Sequence, residues 1–201
     1  MAERNAERTR DAERTKAAIL VAAEDCFAHR GFEGTSVQEI AEAAGVARST
    51  PVYFFQSKQA LYDAVLRRAL KRGREAMQPA FEAVGANAPP AEVLDTLVGR
   101  FLEFLAGDEN YVLLVQREAL AARPSLPTLV DEEALGDSRR AIVAALGEED
   151  ADHVILELFA LSWFPFAHSR TLVASLGFDP RDPEFLKRHR ERIVRLFAGP
   201  T

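Results

Sequence analysis

The sequence predicts an all-α protein, and three observations support that prediction. Apolar residues recur with a period near 3.6 along most of the 201 residues. Alanine, leucine, glutamate and arginine dominate, while β-branched residues are sparse, a balance that favours helices. No stretch shows the apolar–polar alternation of a half-buried strand. We therefore expect helices throughout.

Composition narrows the class of protein further. A chain with 48% hydrophobic and 28% charged residues is ordinary for a soluble globular protein of one or two domains. The one cysteine, Cys26, excludes an internal disulfide and a multi-cysteine metal site. Because Cys26 falls on the apolar face of the first predicted helix, we interpret it as a core residue rather than a redox sensor.

Neither a signal peptide nor a membrane span is predicted. The N-terminus is charged rather than apolar. The longest apolar run, residues 154–167, contains Glu157 and is shorter than the ~20 residues that a membrane span needs. We expect a cytoplasmic protein.

The first helix is predicted to begin at Asp11 or Arg14 and to end at Arg30, before Gly31. Residues 1 to about 12 are polar without apolar periodicity, so we expect them to be disordered in the free protein. Their arginines could reach an adjacent minor groove, although an inert tail is the alternative. These arginines are Arg4, Arg8 and Arg10.

Residues 35–58 have the pattern of two short helices around a tight turn. Ser36 and Glu39 have capping-box spacing, and Gly45 ends the first of these helices. The second begins between Ala47 and Thr50, because the proline at position 51 is tolerated only near a helix start. This pattern is typical of a helix-turn-helix, although a packed helical pair of no special function is the alternative.

Further helices follow by the same periodicity. The fourth begins at a Ser57 cap and runs past Gly73 to about Val84, before a break at residues 85–90. Later helices are predicted at 91–105, 110–122, 129–146, 150–176 and 183–197, with Pro124 and Pro127 interrupting the chain and Asp182 capping the last helix. The helix at 150–176 is apolar on most sides, so one face should meet the core and another a partner subunit. Pro165 should kink it and leave a local opening.

Charge is distributed unevenly along the chain. The net charge is −6, but residues 43–74 hold seven cations and one anion, a local charge of +6. A basic surface on an acidic body suits a protein that docks DNA at one end. The alternative is that the cations of residues 67–74 only form the solvent-exposed face of a helix.

The motif residues together resemble one known family. Roughly residues 14 to 66 are similar to the DNA-binding domain of the tetracycline-repressor (TetR) family. The residues that carry this resemblance are Gly31-Phe32-x-x-Thr35-Ser36-Val37-x-x-Ile40-Ala41-x-x-Ala44-Gly45-Val46, then Ser49-Thr50 and Phe55-x-Ser57-Lys58-x-x-Leu61. The resemblance implies a helix-turn-helix domain at 11–57 and a helical ligand-binding and dimerisation domain at 58–201, with the fourth helix as connector.

The resemblance also implies a homodimeric regulator, most simply a repressor released from a palindromic operator by a small molecule. Many members carry a phosphate-binding Tyr at the position of Val52, and Tyr53 is the candidate to replace it. Arg48 is the predicted base contact, most plausibly to guanine. The predicted DNA-binding residues are Thr35, Ser36, Arg48, Ser49, Thr50, Pro51, Tyr53 and Lys58.

A small-molecule pocket is predicted around the aromatic part of the 150–176 helix, where His168 is a polar group among aromatic walls. Ordinary aromatic core at a subunit interface is the alternative. The candidate pocket residues are Phe101, Phe104, Tyr111, Gln116, Trp163, Phe166 and His168. We expect dimerisation through the helices at 150–176 and 183–197.

Sequence motifs of catalysis or metal binding are not apparent: there is no phosphate-binding glycine loop, nucleophile elbow or His-x-x-x-His spacing. We therefore expect neither an enzyme nor a cofactor. The alternative function is a small-molecule-binding helical protein or enzyme that uses the aromatic cavity, which would need paired titratable groups in that cavity.

Overall fold

The computed structural model describes residues 2–85, 87–120, 132–147, 149 and 151–198. Every regular element among them is a helix, which confirms the all-α prediction. The elements are α1 (Ala2–Arg30), α2 (Val37–Ala43), α3 (Thr50–Phe55), α4 (Lys58–Ala83), α5 (Pro90–Gly107), α6 (Glu109–Leu120), α7 (Glu132–Leu146), α8 (Ala151–Ala167), a π-helical turn (Ser169–Val173) and α9 (Pro183–Ala198). No helix in this part of the chain is both long and apolar enough to cross a membrane.

The chain divides into two compact units. The N-terminal unit contains residues up to Ala69 and, later in the chain, residues from Leu113 to the end of α6. The C-terminal unit contains Leu70–Val112 and the described residues of α7, α8 and α9. The division falls inside α4 and inside α6, whereas the sequence analysis placed a single division between residues 57 and 58.

Helix α1 begins at Ala2, so the expectation of disorder over the first dozen residues is wrong for the structure. These residues are mostly Ala, Glu and Arg, which have high helix propensity. Local pairs support the extension: the Asp11 carboxylate lies 3.3 Å from the Arg14 guanidinium, and the Thr15 hydroxyl donates to the Asp11 carbonyl. Propensity therefore outweighs the absence of a buried face here.

The core of the N-terminal unit forms around an aromatic cluster. Phe27 of α1 is fully buried, and its ring centroid lies 6.1 Å from Phe32 and 5.0 Å from Tyr62 of α4. Cys26, on the same side of α1, is buried as predicted and accepts a hydrogen bond from Arg30 at 2.8 Å. These contacts fix α4 against α1 within the unit.

The C-terminal half of α6 completes the N-terminal unit, which the sequence analysis did not foresee. Arg117 donates from Nε to the Ala28 carbonyl at 2.7 Å and from a terminal nitrogen to the His29 carbonyl at 2.6 Å. Next to it, the buried Glu118 accepts a hydrogen bond from the Tyr62 hydroxyl at 2.7 Å. The first contact satisfies carbonyls of the last turn of α1, and the second joins α6 to α4.

The C-terminal unit is a helical packing in which α5 contacts α8 and α9 and supplies much of the buried apolar surface. The buried side chains of α5 include Leu94, Leu97, Val98, Leu102 and Leu105, and α9 adds Ile193. The predicted ends of the helices before and after residues 121–131, with Pro124 and Pro127, lie outside the described residues.

The helix predicted at 150–176 is shorter than expected. It ends at Ala167, and a π-helical turn follows in which Thr171 has non-helical dihedral angles (φ −121°, ψ −107°). Pro165 lies inside α8 and has no N–H for the Leu161 carbonyl four residues earlier. Nε2 of His189 on α9 lies 2.9 Å from that carbonyl oxygen, so a side chain takes the place of the missing donor.

Candidate nucleic-acid interface

The start of α2 has the predicted capping box. The Glu39 N–H donates to the Ser36 hydroxyl at 3.2 Å, and the Ser36 N–H donates to the Glu39 carboxylate at 2.7 Å. Gly45, just after the helix, has a φ of +67°, which confirms the predicted left-handed stop. Hydrogen bonds from Ser36, and then the charges of Arg30 and Lys58, hold the pKa of Glu39 below its ordinary value. Local sequence alone therefore sets both ends of α2.

The lowered pKa of Glu39 gives a pH-dependent contribution to stability. A carboxyl whose pKa is lower in the folded state stabilises the fold above its unfolded pKa of about 4.3, and this stabilisation is lost as the pH falls through the folded value. In Glu39→Gln, the amide can still cap Ser36 but does not titrate in this range. We expect the melting temperature of the wild type to fall more steeply on acidification from about pH 6 to pH 3 than that of Glu39→Gln. Parallel slopes would contradict this.

Helix α3 presents one face inward and one outward. Pro51 and Phe55 are buried, whereas Val52 and Tyr53 are exposed, Tyr53 to 82%. The helix begins at Thr50, which confirms the predicted start and the place of Pro51 in its first turn. Arg48 and Ser49 just before it are also exposed, and the Ser49 hydroxyl makes no capping hydrogen bond. The turn before α3 and the outer face of α3 therefore expose a guanidinium, a hydroxyl and a phenol.

Two of the predicted DNA-contacting residues are buried. Thr35 is only 2% exposed, and its hydroxyl donates to the carbonyls of Gly31 at 2.8 Å and Cys26 at 3.1 Å. Pro51 packs inward with Phe55. Thr35 thus closes the turn between α1 and α2, and the side chains of both residues are buried within the unit.

The remaining predicted contacts lie at or near the surface. Ser36 is exposed, and Thr50 is half-buried. Lys58 is half-buried with its Nζ 4.2 Å from the centroid of the Phe32 ring, a cation–π distance. Ser57 caps α4 as predicted, accepting from the Ala60 N–H at 3.1 Å. Phe32 therefore holds the Lys58 ammonium beside the start of α4.

The predicted basic surface over residues 43–74 is partly neutralised. In the N-terminal unit, Arg68 lies 4.0 Å from the buried Glu24 carboxylate. In the C-terminal unit, Arg72 lies 2.9 Å from Asp108 and makes two hydrogen bonds to it. Both arginines therefore contribute to packing between helices.

Four of the predicted pocket residues form an aromatic row in the C-terminal unit. Ring centroids are 4.7 Å apart for Phe104 and Tyr111, 5.9 Å for Tyr111 and Trp163, 5.3 Å for Trp163 and Phe159, and 5.5 Å for Phe159 and Phe101. Sequence reasoning missed Phe159, although its four-residue spacing from Trp163 places both on one face of α8.

Tyr111 is the buried polar member of this row. Burial, and to a lesser degree the Asp108 carboxylate, raises the pKa of Tyr111 to about 12. Its ring lies against Gly73 of α4, where a Cβ atom would be 3.2 Å from the Tyr111 hydroxyl. A Cβ atom at position 73 would therefore require the Tyr111 ring to shift slightly.

For the other three predicted pocket residues, no ring contact with this row is found among the described residues. Phe166 is buried, and the His168 ring packs against Phe164 with centroids 4.3 Å apart, just after the end of α8. Gln116 belongs to the N-terminal unit. The structure thus brings four of the predicted aromatic residues into contact, and the pocket itself stays a prediction.

A capped helix, a glycine turn and a short helix with an outward polar face define a helix-turn-helix protein of the DNA-binding class. Residues 19–65 match the family model described as "Bacterial regulatory proteins, tetR family". The chain is 30% identical over 197 residues to the HTH-type transcriptional regulator RutR of Escherichia coli (strain K12), covering 94% of this chain and 91% of that protein. It therefore belongs to the TetR family of bacterial transcriptional regulators.

Other comparisons agree on the fold. The probable HTH-type transcriptional regulator YttP of Bacillus subtilis (strain 168) is 23% identical over 187 residues, covering 89% of this chain and 90% of that protein. The crystal structure of the putative transcriptional regulator SCO4942 from Streptomyces coelicolor superposes with a TM-score of 0.72 at 20% identity, covering 92% of this chain and 99% of that one. The Bacillus subtilis regulator FadR, solved in complex with stearoyl-CoA, gives 0.68 at 19% identity with the same coverage.

Members of this family are DNA-binding transcriptional regulators, and some of them respond to ligands. The resemblance stated from the motif residues is confirmed, and so is the interpretation of the chain as such a regulator.

Proposed function

We propose that the protein is a repressor that binds a palindromic operator as a two-fold homodimer and is released by a small molecule. The outward face of α3 is the observation that carries this proposal. A dimer with one α3 per subunit would place the two helices in successive major grooves of one operator.

Each exposed group near α3 has a role in this proposal. Arg48 reads a base edge, most plausibly the O6 and N7 acceptors of guanine. The remaining groups hold phosphates and fix the orientation of the duplex. These groups are Ser36, Ser49, Thr50, Tyr53 and Lys58. Two observations support these roles: all five residues are exposed or half-buried, and all lie in or close in sequence to the helix-turn-helix.

Arg48→Ala should weaken binding to the specific operator by about 1–3 kcal/mol and relax preference at one base position per half-site. The reason is the loss of a bidentate contact to a base. The measurement is fluorescence anisotropy with a duplex from the chain's own upstream region and with single-base variants of it.

Lys58→Gln is the matched comparison, because it removes a charge rather than a base contact. We expect it to weaken all duplexes alike and to reduce the dependence of log K on log salt by about one per subunit. If Lys58→Gln instead altered only base preference, the division between base-reading and phosphate-binding residues would be wrong.

The second copy of the chain is proposed to dock on α8, α9 and the turn between them. Several large apolar side chains there are exposed in the single chain, and patches of this kind mark protein interfaces. They are Leu156, Phe159, Phe164, Leu172, Leu176, Phe178 and Leu196. A second subunit would bury the side of α8 that the core leaves exposed.

The aromatic row is proposed as one wall of the effector site, with Tyr111 as its hydrogen-bonding group. An effector acts by binding one arrangement of the dimer more tightly than another, and α4 is the proposed connector between the DNA-binding and regulatory domains. FadR, which has a similar fold, was solved in complex with stearoyl-CoA, an acyl thioester. We infer an effector with a large apolar portion for this chain as well.

Family membership favours a regulator over an enzyme that uses the aromatic row. The two functions differ in an observable way: an effector changes the affinity for the operator duplex, whereas a substrate is consumed without changing it. Because the proposed target is chromosomal DNA, we place the protein in the bacterial cytoplasm.

A further inference from the structure

The outward face of α3 contains one apolar side chain among polar ones. The Tyr53 N–H donates to the Ser49 carbonyl and the Gln56 N–H donates to the Val52 carbonyl, so helical geometry extends from Ser49 onward. In this geometry, residues three and four apart share a face, which groups Ser49 with Val52 and Tyr53. Arg48 lies in the turn just before α3. Pro51 and Phe55 form the opposite, buried face. Val52 therefore shares the outward face of α3 with Ser49, which directly follows the predicted base-reading Arg48 in the chain.

Val52 contributes little to the packing of its own unit. Its side chain is 48% exposed, whereas Pro51 and Phe55 on the inner face are buried. Single exposed apolar residues are common on protein surfaces, and Val21 of α1 is another, at 54%. What distinguishes Val52 is its place on α3, in sequence between the hydroxyl-bearing residues Thr50 and Tyr53.

The neighbours of Val52 restrict what it can contact in a duplex. Arg48 before α3 and Tyr53 within it carry groups suited to a base edge and a phosphate. A valine has no hydrogen-bonding side-chain atom, so it can read sequence only by apolar contact. In the major groove, the apolar feature of a base pair is the C5-methyl group of thymine.

We propose that Val52 is a specificity-determining residue that contacts a thymine methyl in each half-site, next to the base read by Arg48. This inference rests on the proposed function, because it requires α3 to enter the major groove. It assigns a role in sequence reading to the position at which many relatives carry a phosphate-binding tyrosine.

The test removes the methyl group alone. Each thymine of a bound duplex from the chain's own upstream region is replaced in turn by deoxyuridine, and the affinity of the full-length protein is measured by fluorescence anisotropy. For wild type, one symmetric pair of positions should show about a fourfold loss per half-site, the factor expected for burying one methyl-sized group. Val52→Ala should bind the thymine duplex more weakly and show no further loss on the deoxyuridine duplex.

Val21→Ala is the matched control, since it shortens an exposed valine in the same unit away from α3. It should retain both the affinity and the deoxyuridine effect of the wild type. The inference is overturned if Val52→Ala keeps the full deoxyuridine effect, or if no thymine position affects the wild type. A protein that binds none of the upstream duplexes at low salt overturns the proposed function itself, whereas specific binding without methyl dependence overturns only the role of Val52.

Discussion

Phe27→Ala is expected to lower the free energy of unfolding by about 3–5 kcal/mol, the largest effect of any substitution considered. Phe27 is fully buried and makes ring contacts with Phe32 and Tyr62. Its truncation leaves a cavity at the point where α1, α4 and the turn after α1 meet, and the ring contacts are lost with it. Urea denaturation followed by circular dichroism measures the effect.

Val21→Ala is the control for this prediction, because it shortens a residue of the same helix that is half exposed. Its effect should stay within about 0.5 kcal/mol. A Phe27→Ala variant that unfolds at the same urea concentration as Val21→Ala would show that the aromatic cluster is not a core.

Tyr62→Phe is expected to lower the free energy of unfolding by about 2–3 kcal/mol, although it removes one oxygen atom only. The Tyr62 hydroxyl donates to Oε2 of Glu118, a side chain that is 1% exposed. Oε1 of the same carboxyl is buried without a hydrogen bond from any described residue. Removing the tyrosine hydroxyl leaves a buried carboxylate without this donor, which is more costly than losing an exposed hydrogen bond.

The double variant Tyr62→Phe/Glu118→Leu tests this explanation. Replacing both partners with apolar groups of similar shape removes the unpaired carboxylate together with its donor. We expect the double variant to be more stable than Tyr62→Phe alone. If the two substitutions were simply additive in their destabilisation, the hydrogen bond would not be the cause.

The parts of the fold set by neighbours in sequence could be predicted. The cap of α2 depends on Ser36 and Glu39, which are three residues apart, and the start of α3 depends on the fixed φ of Pro51. Each of these features is decided within one helical turn. Sequence reasoning therefore located the helix-turn-helix and most of its exposed residues.

Features that depend on distant residues could not be predicted. Nothing local indicates that the Thr35 hydroxyl turns back to the carbonyls of Gly31 and Cys26. Similarly, Tyr62 and Glu118 meet across 56 positions of sequence. In the candidate pocket, composition identified aromatic residues, but only the packing of α5, α6 and α8 decides which of them touch.

The participation of α6 in the N-terminal unit has a practical consequence for dissecting the protein. A fragment cut before Lys58 would lose the α4 side chains that cover Phe27, and a fragment cut after Ala69 would still lack Arg117 and its hold on the end of α1. A chimera that joins the N-terminal unit of this protein to the C-terminal unit of a relative would meet the same obstacle. The N-terminal unit, which contains the helix-turn-helix, is built from two separate segments of the chain. A functional exchange must therefore transfer both segments together.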